Sequence, residues 1–121
     1  MKTILCYGDS NTFGANPFGD ADGVWRHPWE VRYPGRLQTL LGNEYRVVEE
    51  GLGGRTTVFN DPTSPNRIGL EFLPVCVESH CPDIVVLMLG TNDTKPDCCA
   101  SVRMITDGMG QLVKAVLNPY A

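Results

Sequence analysis

The chain has 121 residues, 42% hydrophobic and 20% charged, and a formal net charge of -4. That length holds one domain with a real core, and the acidic balance argues against nucleic acid or an anionic membrane surface as partner. No apolar run approaches the ~20 residues of a membrane span, and the apolar part of residues 1–6 is shorter than the ~7–15 residues of a secretory leader, so it reads as a strand.

The five cysteines are Cys6, Cys76, Cys81, Cys98 and Cys99. An odd count without C-x-x-C favours neither a disulfide framework nor a zinc site. Cys6 and Cys76 fall on apolar faces, and Cys98-Cys99 falls in a loop. Five thiols suit a reducing, cytoplasmic setting. No metal or cofactor is expected.

Residues 2–7 form the first strand, nearly uniformly apolar, as a parallel strand covered on both faces would be. The run Ile4-Leu5-Cys6-Tyr7 stops at Gly8 and hands over to Asp9-Ser10-Asn11. A strand is delivering a hydroxyl to the end of a sheet, and the residues alone leave it three roles: nucleophile, helix cap or phosphate ligand. Residues 16–30 show no periodicity and contain Pro17, Gly19, Gly23, Pro28, Trp25 and Trp29. Long loops inside compact domains are usually functional. Trp25 and Trp29 either wall a substrate pocket or pin this loop to the body.

Residues 34–42 read as a helix, with Pro34 in its first turn, Leu37, Leu40 and Leu41 on one face, and Gly42 as its stop. Residues 45–50 are the second strand. Gly51-Leu52-Gly53-Gly54-Arg55-Thr56-Thr57 follows, a backbone that must turn tightly or lie close to something. Residues 59–66 are a turn-rich loop. A second helix spans residues 69–79 and is expected to begin near Pro74 or kink there. Residues 83–89 form a third strand, expected to be buried on both faces, ending in Gly90-Thr91-Asn92-Asp93. Ser101 caps a third helix, whose apolar face is Ile105, Met109, Leu112, Val113 and Val116, and Asn118-Pro119 ends it. No internal boundary is visible; residues 1–121 read as part of a single domain.

Strand, helix, strand, helix, strand, helix predicts an open parallel α/β sheet with right-handed crossovers. The C-terminal strand ends then share one edge, where such sheets bind ligands. That topology predicts convergence of Ser10, Gly53-Gly54 and Thr91-Asn92-Asp93. A serine hydroxyl, glycine N–H groups and an asparagine amide are the parts of acyl transfer: the hydroxyl attacks a carbonyl and the donors stabilise the oxyanion. One such donor is typically worth about 2.7–4 kcal/mol in the transition state.

Gly8-Asp9-Ser10, Gly54 and Gly90-Thr91-Asn92-Asp93 resemble the first three sequence blocks of the SGNH (GDSL) hydrolases. Residues 51–57 and 87–95 are similar to the arylesterase branch of that family, and the resemblance covers nearly the whole chain. It implies a three-layer α/β/α, flavodoxin-like fold and a serine esterase of small aryl or acyl esters, with acyl transfer to other acceptors. By motif position Ser10 is the nucleophile, and the N–H groups of Ser10 and Gly54 with the Asn92 amide form the oxyanion hole. Asp9 is read as structural, Asp93 and Thr91 as shaping the loop around Asn92, and Arg55 and Lys95 as surface or subunit-contact residues, with binding of an anionic substrate group as the alternative. The arylesterase branch implies self-association.

Serine also needs a base, normally a histidine oriented by a carboxylate. The family carries both in a late Asp-x-x-His block. Neither His27 nor His80 has an aspartate three residues before it. The expectation is therefore that this chain is the N-terminal part of a hydrolase, that its base and acid lie in a C-terminal remainder on the same or a separate chain, and that it has little activity alone. Two alternatives stand beside this: a flavodoxin-like module cradling phosphate or nucleotide, and an inactive fragment that pairs with a complementary chain.

Overall fold

A computed structural model describes residues 1–19 and 23–118. They form two compact units, Met1–Gly53 with Pro82–Met88, and Gly54–Cys81 with the chain from Leu89 onward.

The first unit is built on three parallel strands, β1 (Lys2–Gly8), β2 (Tyr45–Gly51) and β3 (Ile84–Met88), in the order β2-β1-β3. Ile4 is in register with Val47 on one side and Ile84 on the other. As the central strand, β1 buries Leu5, Cys6 and Tyr7 completely, which its unbroken apolar run anticipated. Asp83 sets the start of β3: its N–H donates to the Thr3 carbonyl at 2.9 Å, and its carboxylate accepts from the Thr3 N–H at 2.8 Å.

Burial of β3 on both faces does not hold. Ile84 and Met88 are 44% and 43% exposed, and the three residues between them are half-buried. The reason is position: among the described residues β3 is hydrogen-bonded to β1 only and forms the edge of the sheet.

Helix α2 (Tyr33–Leu41) carries Pro34 in its first turn and ends at Gly42, as expected. Its buried side differs. Leu37 packs against Ile4, Cys6 and Val47, but Leu40 is 76% exposed. Gln38 sets this rotation by bonding the β2 backbone twice, donating to the Tyr45 carbonyl and accepting from the Val47 N–H, both at 2.8 Å. Two residues on, Leu40 then points away from the strand.

The loop read over residues 16–30 is tied at its ends, and residues 20–22 lie outside the described residues. Ala15 and Arg26 form an antiparallel bridge, and the His27 N–H donates to the Gly14 carbonyl at 2.7 Å. Arg26 donates to the Phe13 carbonyl at 2.8 Å and sits 4.0 Å over the Phe13 ring. Arg26 and Arg32 both reach Glu49 on β2, Arg32 through Nε at 2.8 Å, and that carboxylate holds the guanidinium of Arg32 above its ordinary pKa.

The second unit contains α3 (Gly69–His80), α4 (Val102–Leu117) and two short 3-10 turns, Asn92–Thr94 and Pro96–Cys98. Helix α3 begins five residues before Pro74 and continues through it. It has no side-chain cap; the N–H groups of Gly69 and Leu70 instead donate to the carbonyls of Thr56 and Thr57, at 3.0 and 2.9 Å. The loop thus satisfies donors that a helix start leaves open. Ser101 caps α4 as read, accepting from the Met104 N–H at 3.2 Å. Gly108 and Leu112 are buried, with Ile105, Met109 and Val116 half-buried beside them, while Val113 is exposed at the margin of the expected face. Pro119, read as part of the helix stop, lies outside the described residues. Among the described residues no helix is long and apolar enough to cross a membrane.

Candidate active site

In the first unit, Ser10 is the first residue of a one-turn helix, α1 (Ser10–Phe13), directly after β1. Asp9 caps that turn: its Oδ1 accepts from the Asn11 backbone N–H at 2.9 Å and from the Asn11 side chain at 3.3 Å. The carboxylate beside the serine is therefore committed to local backbone, and it is 1% exposed. Gly14, in the left-handed region at φ 85°, closes the turn by donating to the Ser10 carbonyl. The turn lies against the end of β2. A Cβ on Gly51 would stand 2.3 Å from the Phe13 nitrogen and 2.7 Å from the Thr12 carbonyl carbon.

Behind Ser10, Thr12 is fully buried, its hydroxyl beside that of Tyr33, and neither makes a hydrogen bond of ordinary geometry among the described residues. Burial, with the Cys6 thiol beside it, pushes the Tyr33 phenol well above its ordinary pKa. Burial likewise raises Cys6. The two tryptophans part company. Trp29 packs against the Ile4, Cys6 and Val47 cluster and lies under the Arg32 guanidinium at 5.3 Å, which is the pinning role. Trp25 is 62% exposed, with its ring against Gly19. His27 is partly buried and held through its backbone, its carbonyl accepting from Arg32 at 2.9 Å.

Gly54 and Asn92 belong to the second unit, where the structure brings their segments together. Gly54 has φ 81°, a left-handed conformation that disfavours any side chain. After it Arg55, Thr56 and Thr57 are buried, so the surface role read for Arg55 is replaced by a buried one at 6% exposure. The Asn92 amide donates to the Arg55 carbonyl at 3.1 Å. Asp93 is fully buried and accepts from the Thr57 N–H at 2.9 Å and the Thr57 hydroxyl at 2.5 Å.

Lys95, also read as a surface residue, pairs with Asp61 at 3.3 Å. Asp61 is held below the usual carboxylate range by the Thr63 hydroxyl and N–H, with Lys95 adding to them. Cys98 is buried under this turn, its Sγ 3.6 Å from the Asn92 carbonyl oxygen; burial, and then the Asp61 and Asp93 carboxylates, raise its pKa. His80 is the last residue of α3. An open hollow lined by Met1, Lys2, Asn43, Glu44 and Tyr45 lies at the other end of β1 from Ser10. The Asp61–Lys95 pair and the Glu49 anchor escaped the sequence reading, because nothing in local spacing joins residues 34 or 23 positions apart.

The chain resembles known proteins in sequence and in fold. The sequence model of the GDSL-like Lipase/Acylhydrolase family matches residues 6–119, and the chain belongs to that family. An inhibitor-bound aryl esterase of M. smegmatis is similar, at 44% identity and a TM-score of 0.89, over 97% of this chain and 55% of the other. So is Est24, a carbohydrate acetylesterase from Sinorhizobium meliloti, at 41% identity and a TM-score of 0.89, over the same 97% and 55%. An acetylxylan esterase of Xylanibacter ruminicola is 32% identical over 84 residues, 69% of this chain and 17% of that protein. The α/β fold is that of these structures, and the chain spans about half their length.

Proposed function

We propose that this chain carries the nucleophile and oxyanion hole of a serine ester hydrolase acting on small aryl or acyl esters, with acyl transfer to other acceptors. The Ser10 hydroxyl attacks the ester carbonyl. The N–H groups of Ser10 and Gly54 and the Asn92 amide hold the oxyanion, which collapses to an acyl-enzyme and releases the alcohol; water or another acceptor then takes the acyl group.

One observation carries most of this reading: the bond from the Asn92 amide to the Arg55 carbonyl, one residue after Gly54. A side-chain amide has two N–H groups. Committing one to Arg55 identifies Nδ2 and leaves the other for an oxyanion, next to the loop whose glycine supplies a backbone donor. Membership of the family supports the assignment of Ser10. The exposed ring of Trp25 suits a pocket wall, while Trp29 serves as an anchor.

The general base and its carboxylate belong, in this proposal, to residues outside the chain, in a C-terminal remainder that adds strands beside β3. The apolar edge Ile84-Val85-Val86-Leu87-Met88, half-exposed and free of charge or proline, suits such pairing. Homo-oligomerisation of the assembled enzyme and a cytoplasmic setting complete the proposal, the latter supported by five cysteines, an odd number with no C-x-x-C spacing.

A fluorophosphonate reagent, applied to the protein containing this chain together with its remainder, tests the reading. Ser10 takes the label, Ser10→Ala takes none and loses esterase activity, and the 121-residue chain alone has activity near background. A Ser10→Ala protein that keeps full activity overturns it.

A further inference from the structure

Resting on the oxyanion-hole reading, we infer that Asp93 is the positioning residue of that hole: through Thr57 it fixes the loop carrying the Gly54 N–H against the turn carrying the Asn92 amide. The two segments are far apart in sequence and joined by three bonds. Asp93 Oδ1 takes the Thr57 N–H, Oδ2 takes the Thr57 hydroxyl, and the Arg55 carbonyl takes the Asn92 amide. The Asn92 turn is itself closed by backbone bonds, Asp93 N–H to the Gly90 carbonyl and Lys95 N–H to the Asn92 carbonyl, both at 3.2 Å.

The residue types follow from the donors. Thr57 offers its N–H and its O–H, and an ionised carboxylate is acceptor-only, so one aspartate takes both. An asparagine has one oxygen where Asp93 uses two, and would turn an N–H donor toward the Thr57 hydroxyl or N–H. The pair is sealed in: Thr56, Thr57 and Asp93 are each fully buried. A buried hydrogen bond is expensive to break without a replacement partner, so the pair ties the two segments together. On the far side, Gly108 of α4 makes the space, since a Cβ there would stand 2.7 Å from the Thr57 hydroxyl oxygen.

The consequence is preorganisation. An oxyanion hole works only if its donors are already aimed where charge develops. With Asp93 in place, Asn92 and Gly54 are set relative to each other before any ester arrives.

The test is NMR on the uniformly 15N-labelled protein containing this chain together with its remainder, reading hydrogen exchange at the Asn92 side-chain amide. In the unsubstituted chain that amide is protected. Asp93→Asn and Thr57→Val speed its exchange on the order of tenfold, as loss of a buried hydrogen bond to a charged group would, while Thr57→Ser keeps the unsubstituted rate. If Asp93→Asn does not fold, Thr57→Val against Thr57→Ser decides. An Asn92 amide that exchanges as fast as free asparagine in the unsubstituted chain, or a folded Thr57→Val with its rate unmoved, overturns the inference. None of these readings uses activity, so failure of the ester reading, seen as an unlabelled Ser10, is recognised separately.

Discussion

Two threonines, Thr12 in the first unit and Thr57 in the second, are both fully buried, yet their surroundings are opposites. The N–H and hydroxyl of Thr57 both end on one carboxylate. Thr12 gives its N–H to the Asp9 carbonyl at 3.1 Å, while its hydroxyl lies beside the Tyr33 phenol without a hydrogen bond of ordinary geometry among the described residues. The same contrast runs through the segments around them. The Ser10 turn, capped by Asp9, meets β2 by shape, its backbone laid on glycine; the loop after Gly54 meets the Asn92 turn through polar bonds in a buried setting. A segment held by shape is vulnerable to added volume, and one held by bonds is vulnerable to lost polarity.

Volume gives the largest effect. Gly51→Ala drives a methyl group into the backbone of Phe13 and Thr12, where no flexible side chain can move aside. Overpacking against backbone belongs at the severe end of such changes, and a loss of about 3 kcal/mol is expected. Gly53→Ala is the control, since its Cβ would meet nothing within 4 Å; it should stay within about 0.5 kcal/mol of the unsubstituted chain. Urea unfolding of the two variants reads the difference. Equal midpoints would mean that the contact between the Ser10 turn and β2 constrains nothing.

Polarity gives the next effect, and here the two threonines predict opposite signs for one substitution. Thr57→Val strands an oxygen of Asp93 and should destabilise by about 1–3 kcal/mol. Thr12→Val replaces a buried hydroxyl that makes no hydrogen bond of ordinary geometry with a methyl of similar size, and should be neutral or stabilising by up to about 1 kcal/mol. Side-chain volume is nearly constant in both, so packing does not blur the comparison. Two losses of similar size in equilibrium unfolding would break the contrast.

What could be read from the sequence follows the same line. Elements with a period were visible: the apolar run of β1, the Ser101-capped α4, and Pro34 and Gly42 bounding α2. The Ser10, Gly54 and Asn92 segments could be named from motif order. What escaped were features set by partners distant in the chain. Leu40 reads as core until Gln38 is seen bonding β2, and the apolar run of β3 reads as buried on both faces until its exposure at the edge of the sheet is seen. Arg55 reads as surface because a charged side chain in a glycine-rich loop usually is. Asp61 and Asp93 look like ordinary turn residues, and only their partners, 34 and 36 positions away, reveal them as buried anchors.

The smallest effect is expected at Asp61, and it depends on pH. Its carboxylate is held below the usual range chiefly by the Thr63 hydroxyl and N–H, with Lys95 adding its charge. A depressed carboxylate stabilises the fold fully above its unfolded pKa of about 3.9, and that contribution disappears as pH falls through the lower folded value. Asp61→Asn keeps an acceptor for Thr63 but drops the charge facing Lys95. The unfolding midpoints of the two proteins should therefore differ by a constant amount from pH 7 to pH 5, with Asp61→Asn the weaker. Below about pH 4 the gap should shrink and then close. Lys95 is 39% exposed, so salt should narrow the gap at pH 7 as well, by screening the pair. A gap that persists unchanged to pH 2, or Asp61→Asn as the more stable protein at pH 7, would show that the loop is held by Thr63 geometry and not by the charge of Asp61.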